Sequence, residues 1–225
     1  MSMPELKTLD RTLKDFADPK HRAVIRDHFG SNADNFYGVK MGDIREVTES
    51  VLQAHKITNE RCWSFCDELT ATGIFEHKIA AFHLAWLVKR KWTGSELDRF
   101  AGWLHHSVDD WMDCDDLCNR VIGEFLLRFP DQIQKVVSWR NDPGVWTRRG
   151  SAVSLVPSVR KGYHWKEAVT VCETIMNDPE PMVTKACGWL LKVASKPHPE
   201  EVQRFVKAAG TRMLNSVRKT ALEKL

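Results

Sequence analysis

The sequence predicts an all-α fold, a curved solenoid of stacked helix pairs, and three observations predict it. Strand signals are scarce: few stretches alternate at period two, and Asn-Gly or Asp-Gly hairpin turns are absent. Helical periodicity recurs along the chain. One short pattern, a basic residue followed by small and apolar residues, returns at a nearly constant interval.

The bounds agree with a soluble globular chain. At 225 residues, 43% hydrophobic and 28% charged, with no low-complexity tract, the chain suffices for one domain spanning 1–225 with a sizeable core. No apolar run approaches the roughly 18–20 residues a membrane span requires. The first twenty residues are polar and charged, unlike a secretory signal, so a cytoplasmic location is expected. Nothing demands oligomerisation, and a monomer is expected. Cys62, Cys66, Cys114, Cys118, Cys172 and Cys187 form no recognisable zinc pattern with the histidines; they are expected to be small buried residues between packed helices, with no metal bound. The net charge of +3 says little alone, so the placement of charges matters more.

The elements follow in order. His77 to Lys91 reads as one amphipathic helix, with Ile79, Phe82, Leu84, Trp86 and Leu87 on or near its apolar side. Leu117 to Phe129 is a second, closed by Pro130. Gly150 to Val156 opens a third, ended around Pro157, and Thr184 to Ala194 is a fourth, ended before Pro197. Breakers fill the spaces: Thr93-Gly94-Ser95, Asn141-Asp142-Pro143-Gly144, Asn177-Asp178-Pro179-Glu180-Pro181 and Lys196-Pro197-His198-Pro199. Ser95 and Asp142 are candidate helix N-caps.

Four helices share the repeated pattern, beginning at Lys78, Arg149, Lys185 and Arg218, the last with its final Leu one step late. The first gap is about twice the others, and Asp115-Asp-Leu-Cys-Asn-Arg-Val121 fills it, leaving gaps of 37, 34, 36 and 33 residues. A period near 35 is typical of HEAT-like helix-pair solenoids. Small residues early in each helix would allow close packing. Equivalent positions in a solenoid line one surface, so Lys78, Arg149, Lys185 and Arg218 are expected along a basic concave face near the starts of the second helices. Arg148, Lys192 and Lys219 would add to it. Such a row bridges phosphates without reading sequence; a solvated basic edge is the alternative.

Asp115 is the acidic member of this row, in the segment Asp109-Asp110-Trp111-Met112-Asp113-Cys114-Asp115-Asp116. Trp111 and Asp115 are spaced i,i+4 and share a face on a helix. A carboxylate amid positive charge stays ionised and offers negative charge to a cationic group. Asp109, Asp110 and Asp113 suit helix capping. Core packing is the alternative role for Trp111.

These residues resemble the AlkD-like family of DNA alkylation-repair glycosylases, from about His21 to the C-terminus. Phe36-Tyr-Gly-Val-Lys-Met-Gly-Asp-Ile-Arg45 resembles the family's Gly-Val…Arg motif, and Trp111-x-x-x-Asp115 its catalytic Trp and Asp. Val145-Trp146-Thr-Arg-Arg149 resembles the segment supplying its essential Arg, and Gly188-Trp189 a second Trp facing DNA. Val24 stands where some members carry a Tyr, so that Tyr's role has no counterpart here.

The resemblance implies a monofunctional glycosylase for positively charged N3- or N7-alkylated purines in double-stranded DNA, needing no cofactor and leaving the strand uncut. It implies catalytic roles for Asp115, Trp111 and Arg149, and no base flipping into a pocket, hence tolerance of bulky adducts. Trp189 would face DNA, and the basic residues Arg148, Lys78, Lys185 and Arg218 would contact its backbone. Two other readings stay open at this stage: a DNA-binding relative without activity, and a protein-interaction solenoid.

Overall fold

The computed structural model describes residues 4–29 and 35–225, and every regular element among them is helical. The chain, expected as one domain, gathers into two compact units interleaved in sequence: Met1–Thr93 with His106–Asp116, and Gly94–His105 with Leu117–Leu225. No described helix is long and apolar enough to cross a membrane.

The first unit contains α1 (Pro4–Asp15), α2 (Pro19–Phe29), α3 (Met41–Ala54), α4 (Asn59–Thr70), α5 (Phe75–Leu87) and, after α6 (Glu96–His106), α7 (Trp111–Asp115). Helix α1 buries Leu9 and Leu13, four residues apart and so on one face. Thr58 caps α4, its hydroxyl accepting from the Arg61 N–H. Helix α5 is the centre of the unit, with α3, α4 and α7 packed on it. The sequence predicts an amphipathic α5; the structure instead buries every residue from Phe75 to Ala85. A helix packed against by three others has no side to give to water, so its few charged residues need internal partners.

Glu76 shows how that need is met. Its buried carboxylate accepts the N–H groups of Tyr37, Gly38 and Val39 at 2.9–3.1 Å, clasping the segment that leads into α3. Burial pushes its pKa up against these hydrogen bonds. Gly38 has φ +95°, and a Cβ there would come within 2.7 Å of the Arg22 Cβ and 2.8 Å of the Asp18 carbonyl oxygen. Only glycine fits.

The second unit holds most of α6, then α8 (Gly123–Arg128), α9 (Ile133–Ser138), α10 (Val145–Val153), α11 (Val156–Arg160), α12 (Trp165–Ile175), α13 (Pro181–Ala194), α14 (Pro199–Ala209) and α15 (Asn215–Ala221). Helix α13 is its centre, with α10, α11, α12 and α15 packed on it. Small residues in the repeated pattern are sites of close approach. A Cβ on Gly150 would meet the Leu104 Cδ2 at 2.8 Å and the Cys118 Sγ at 3.0 Å, and one on Gly188 would meet the Thr220 Cβ at 3.0 Å.

Several expected boundaries move. The third predicted helix begins at Val145, and Pro157 does not end it; Pro157 lies in the first turn of α11. Helix α13 starts at Pro181, three residues earlier than expected, with the proline at its first position. Asp142 is not an N-cap, because Gly144 occupies that position; its carboxylate accepts the Gly144 N–H at 2.8 Å. Asp178 does the same to the Glu180 N–H at 2.9 Å, so the two Asn-Asp-Pro turns are built alike. The chain between Trp111 and Arg128 is helical throughout, but Asp116–Ile122 is a π-helical stretch. All six cysteines are buried, and none is in a disulfide.

The repeat itself has a structural counterpart. Lys78, Asp115, Arg149, Lys185 and Arg218 each fall at the fourth or fifth residue of a helix: α5, α7, α10, α13 and α15. Within the first unit α3, α5 and α7 pack in series, and within the second α10, α13 and α15 do so.

Candidate active site

The start of α7 is the most heavily built turn of the first unit. Asp110 is the N-cap, its carboxylate accepting the Met112 N–H at 2.8 Å. Asp113 reaches back and accepts the Asp110 N–H at 3.1 Å and the Asp109 N–H at 3.4 Å, completing a capping box. The capping roles expected of Asp110 and Asp113 are therefore realised.

Lys78 from α5 enters this turn from beneath. Its side chain is 1% exposed, and its ammonium pairs with both Asp109 and Asp113. Burial alone would lower its pKa; the two carboxylates outweigh that and hold it above the ordinary lysine value. This corrects one expectation. Lys78 occupies the repeat position as predicted, but its charge faces inward and is spent on two carboxylates.

Asp116 is held in a second pair. Arg45, from the first turns of α3, donates its Nη2 to the Asp116 Oδ1 at 2.7 Å, with the carboxylate 5% exposed. Between these anchored residues lie Trp111 and Asp115, both half-buried. They are one helical turn apart on α7, so they share a side as the spacing predicts.

The second unit carries the remaining candidates. Arg149 is 5% exposed, and its Nη1 donates to the Met182 carbonyl in the first turn of α13 at 2.5 Å. Arg148 beside it is engaged differently. Its Nε and Nη2 donate to Asp178 at 2.7 and 3.2 Å, and its Nη1 to the carbonyls of Asp142 and Pro143. Asp178 raises its pKa above the ordinary arginine value. Arg148 therefore ties the two Asn-Asp-Pro turns together, where the sequence assigned it to DNA. Arg218 is half-buried and donates to the Gly210 carbonyl. Lys192 pairs with Glu223 at 2.7 Å. Lys185 is exposed on α13, and Trp189, one turn further on, is half-buried.

A family model described as DNA alkylation repair enzyme matches residues 9–225. The chain belongs to that family. No curated protein matches it in sequence. Among solved structures, a predicted DNA alkylation repair enzyme from Enterococcus faecalis shares its fold at a TM-score of 0.79, with 15% identity over 92% of this chain and 96% of that one. AlkD2 from Streptococcus mutans is similar at a TM-score of 0.58, with 15% identity over 98% of this chain and 99% of that one. At such identities the likeness is one of fold.

A member of the DNA alkylation repair family acts in repair of alkylated DNA, and DNA is its partner. Membership agrees with the resemblance drawn from the motifs at Phe36–Arg45, Trp111–Asp115, Val145–Arg149 and Gly188–Trp189. Sequence reading missed three features around the candidate site: the Glu76 clasp, the inward Lys78 and the Arg45–Asp116 pair. One signal was present. Glu76-His77-Lys78 is a polar triplet at the head of a helix that is apolar thereafter except for His83. Charge in a helix without a polar face calls for internal partners.

Proposed function

We propose that the chain is a monofunctional DNA glycosylase that hydrolyses the N-glycosidic bond of positively charged N3- or N7-alkylated purines in duplex DNA. The observation that carries this reading is α7. A half-exposed Trp111 and Asp115 stand one turn apart on a short helix held by a capping box, by Lys78 paired with Asp109 and Asp113, and by Arg45 paired with Asp116.

The chemistry suits these groups. Alkylation gives the purine a positive charge and makes it a good leaving group, so no general acid is required. As the bond breaks, positive charge spreads onto the deoxyribose. The Asp115 carboxylate stabilises that charge and orients or deprotonates the attacking water. The face of Trp111 packs against the sugar and contributes cation–π attraction. In the second unit we assign Trp189, Arg149 and the exposed Lys185 to the sugar–phosphate backbone of the duplex. No lysine is required as a Schiff-base nucleophile, so the strand stays intact. Nor is the base inserted into a pocket, which leaves room for bulky adducts.

The test is release of free 7-methylguanine or 3-methyladenine from methylated duplex. Wild type releases the base without nicking the strand. Asp115→Asn slows release about 100-fold or more, the magnitude of losing one preorganised electrostatic group, while duplex binding persists. Release at the wild-type rate by Asp115→Asn defeats the mechanism. No release by wild type, with salt-dependent duplex binding intact, makes the chain a DNA binder only.

A further inference from the structure

Resting on the glycosylase reading above, we propose that Lys78 with Asp113, and Arg45 with Asp116, are positioning residues for the chemistry of Trp111 and Asp115. Their ion pairs set the rotation of the first turn of α7.

Helix α7 is the opening turn of a helical run, and the π-helical stretch Asp116–Ile122 directly behind it interrupts the regular α-helical register. The run behind α7 therefore does not by itself fix the rotation of this turn, and side-chain contacts at the turn contribute to it. Lys78 supplies one such contact in a particular way. A single ammonium bonds Asp109, just before the N-cap, and Asp113, the third residue of the helix. It therefore straddles the helix start and fixes the angle at which the chain enters α7. The Arg45–Asp116 pair holds the other end of the same turn at 2.7 Å.

Helical geometry then decides what the anchors do. At 3.6 residues per turn, Asp113 and Asp116 point to one side of the helix, and Trp111 and Asp115 to about the opposite side. For these four residues burial follows the division: Asp113 and Asp116 are buried, whereas Trp111 and Asp115 are half-buried. Cys114, nearer to Trp111 around the helix, is buried as well. The anchors thus grip the inner side of the turn that displays the two reacting side chains on its outer side. An apolar inner side would pack with similar stability, since replacing a buried ion pair by uncharged residues is often neutral. What such packing lacks is direction: apolar contacts tolerate a rotation that paired hydrogen bonds forbid. A misplacement near 1 Å costs about 100-fold in rate.

The experiment separates positioning from stability. Lys78→Met strands a buried carboxylate and lowers both Tm and kcat. Adding Asp113→Asn removes that charge and keeps an acceptor for the Asp110 N–H, so Tm returns close to wild type. The double variant is expected to bind duplex with a Kd within about 2-fold of wild type but to release base about 10- to 100-fold more slowly. A kcat that returns together with Tm overturns the proposal. If the double variant does not fold, Arg45→Met with Asp116→Asn carries the same test, with the same two outcomes.

A second readout requires no activity. In protein labelled with 5-fluorotryptophan, the Trp111 resonance is assigned by its loss in Trp111→Phe. Its shift or splitting in the double variant, with the other resonances unmoved, supports positioning, and an unmoved Trp111 resonance overturns it. Should wild type release no base, the glycosylase reading fails while this measurement still decides whether the pairs orient Trp111.

Discussion

At the scale of single residues, identical side-chain types carry different tasks. Arg148 and Arg149 are neighbours, yet Arg148 is tied to Asp178 and two carbonyls, while Arg149 holds the start of α13 through Met182. Arg148→Ala is expected to cost about 2–3 kcal/mol by leaving Asp178 and the turn carbonyls without their donor. It reads as a lower Tm, with duplex affinity of the folded protein nearly unchanged. Lys185→Ala is the converse: Tm is unchanged, and the slope of log K against log salt falls by about one. An unaltered slope would remove Lys185 from the DNA contact. The sequence made Trp111, Asp115 and the repeat positions legible, because they depend on local spacing. It did not reveal which basic residues face inward, because Lys78 reads the same whether solvated or paired. Its partner Asp109 lies 31 residues away.

At the scale of elements, packing decides what local signals leave open. Proline both stops helices and starts them: Pro130 and Pro197 follow helix ends as expected, Pro130 also opening a short 3-10 turn, while Pro157 and Pro181 are first-turn residues. The ring of Pro157 also fixes a contact. A Cβ on Gly123 would lie 2.4 Å from the Pro157 Cγ and 2.9 Å from its Cδ. A pyrrolidine ring has little freedom to yield, so the clash in Gly123→Ala outweighs the gain of up to about 1 kcal/mol in helix propensity. A net loss of about 1–3 kcal/mol is expected, measured by urea unfolding. The π-helical stretch after Asp115 had no signature in the apolar pattern. Such stretches are rare and recur at functional sites, where they shift the register of the residues beside them.

At the scale of the molecule, the polar groups enclosed with α5 make stability depend on pH. His77 is 2% exposed, with Nδ1 at 3.0 Å from the Thr72 hydroxyl and Nε2 at 3.3 Å from Asp10. Burial lowers its pKa to about 4, with Asp10 opposing and Lys14 assisting. An unfolded histidine binds its proton near pH 6.5. The unfolded chain therefore takes up a proton first as pH falls. The contribution is complete above about pH 6.5 and is lost progressively toward pH 4, by about 3 kcal/mol in all. Urea midpoints at pH 7.5 and 4.5 should differ more for wild type than for His77→Gln; equal differences would refute the assignment. The all-α class was legible because helical period and repeat interval survive in the sequence. The division into two interleaved units was not, since no linker marks it.

The burial of the cysteines has a consequence of another kind. Alkylating reagents attack soft nucleophiles, and thiolates are among the best a protein offers. A repair protein meets DNA where such reagents have been. Here all six sulfurs are shut away from solvent, and burial pushes the Cys172 thiol well above its ordinary pKa. Native protein should therefore leave a thiol reagent such as iodoacetamide almost unconsumed, while the urea-unfolded chain takes up six equivalents. The native fold thus withholds its thiols from the class of compound whose damage its family repairs.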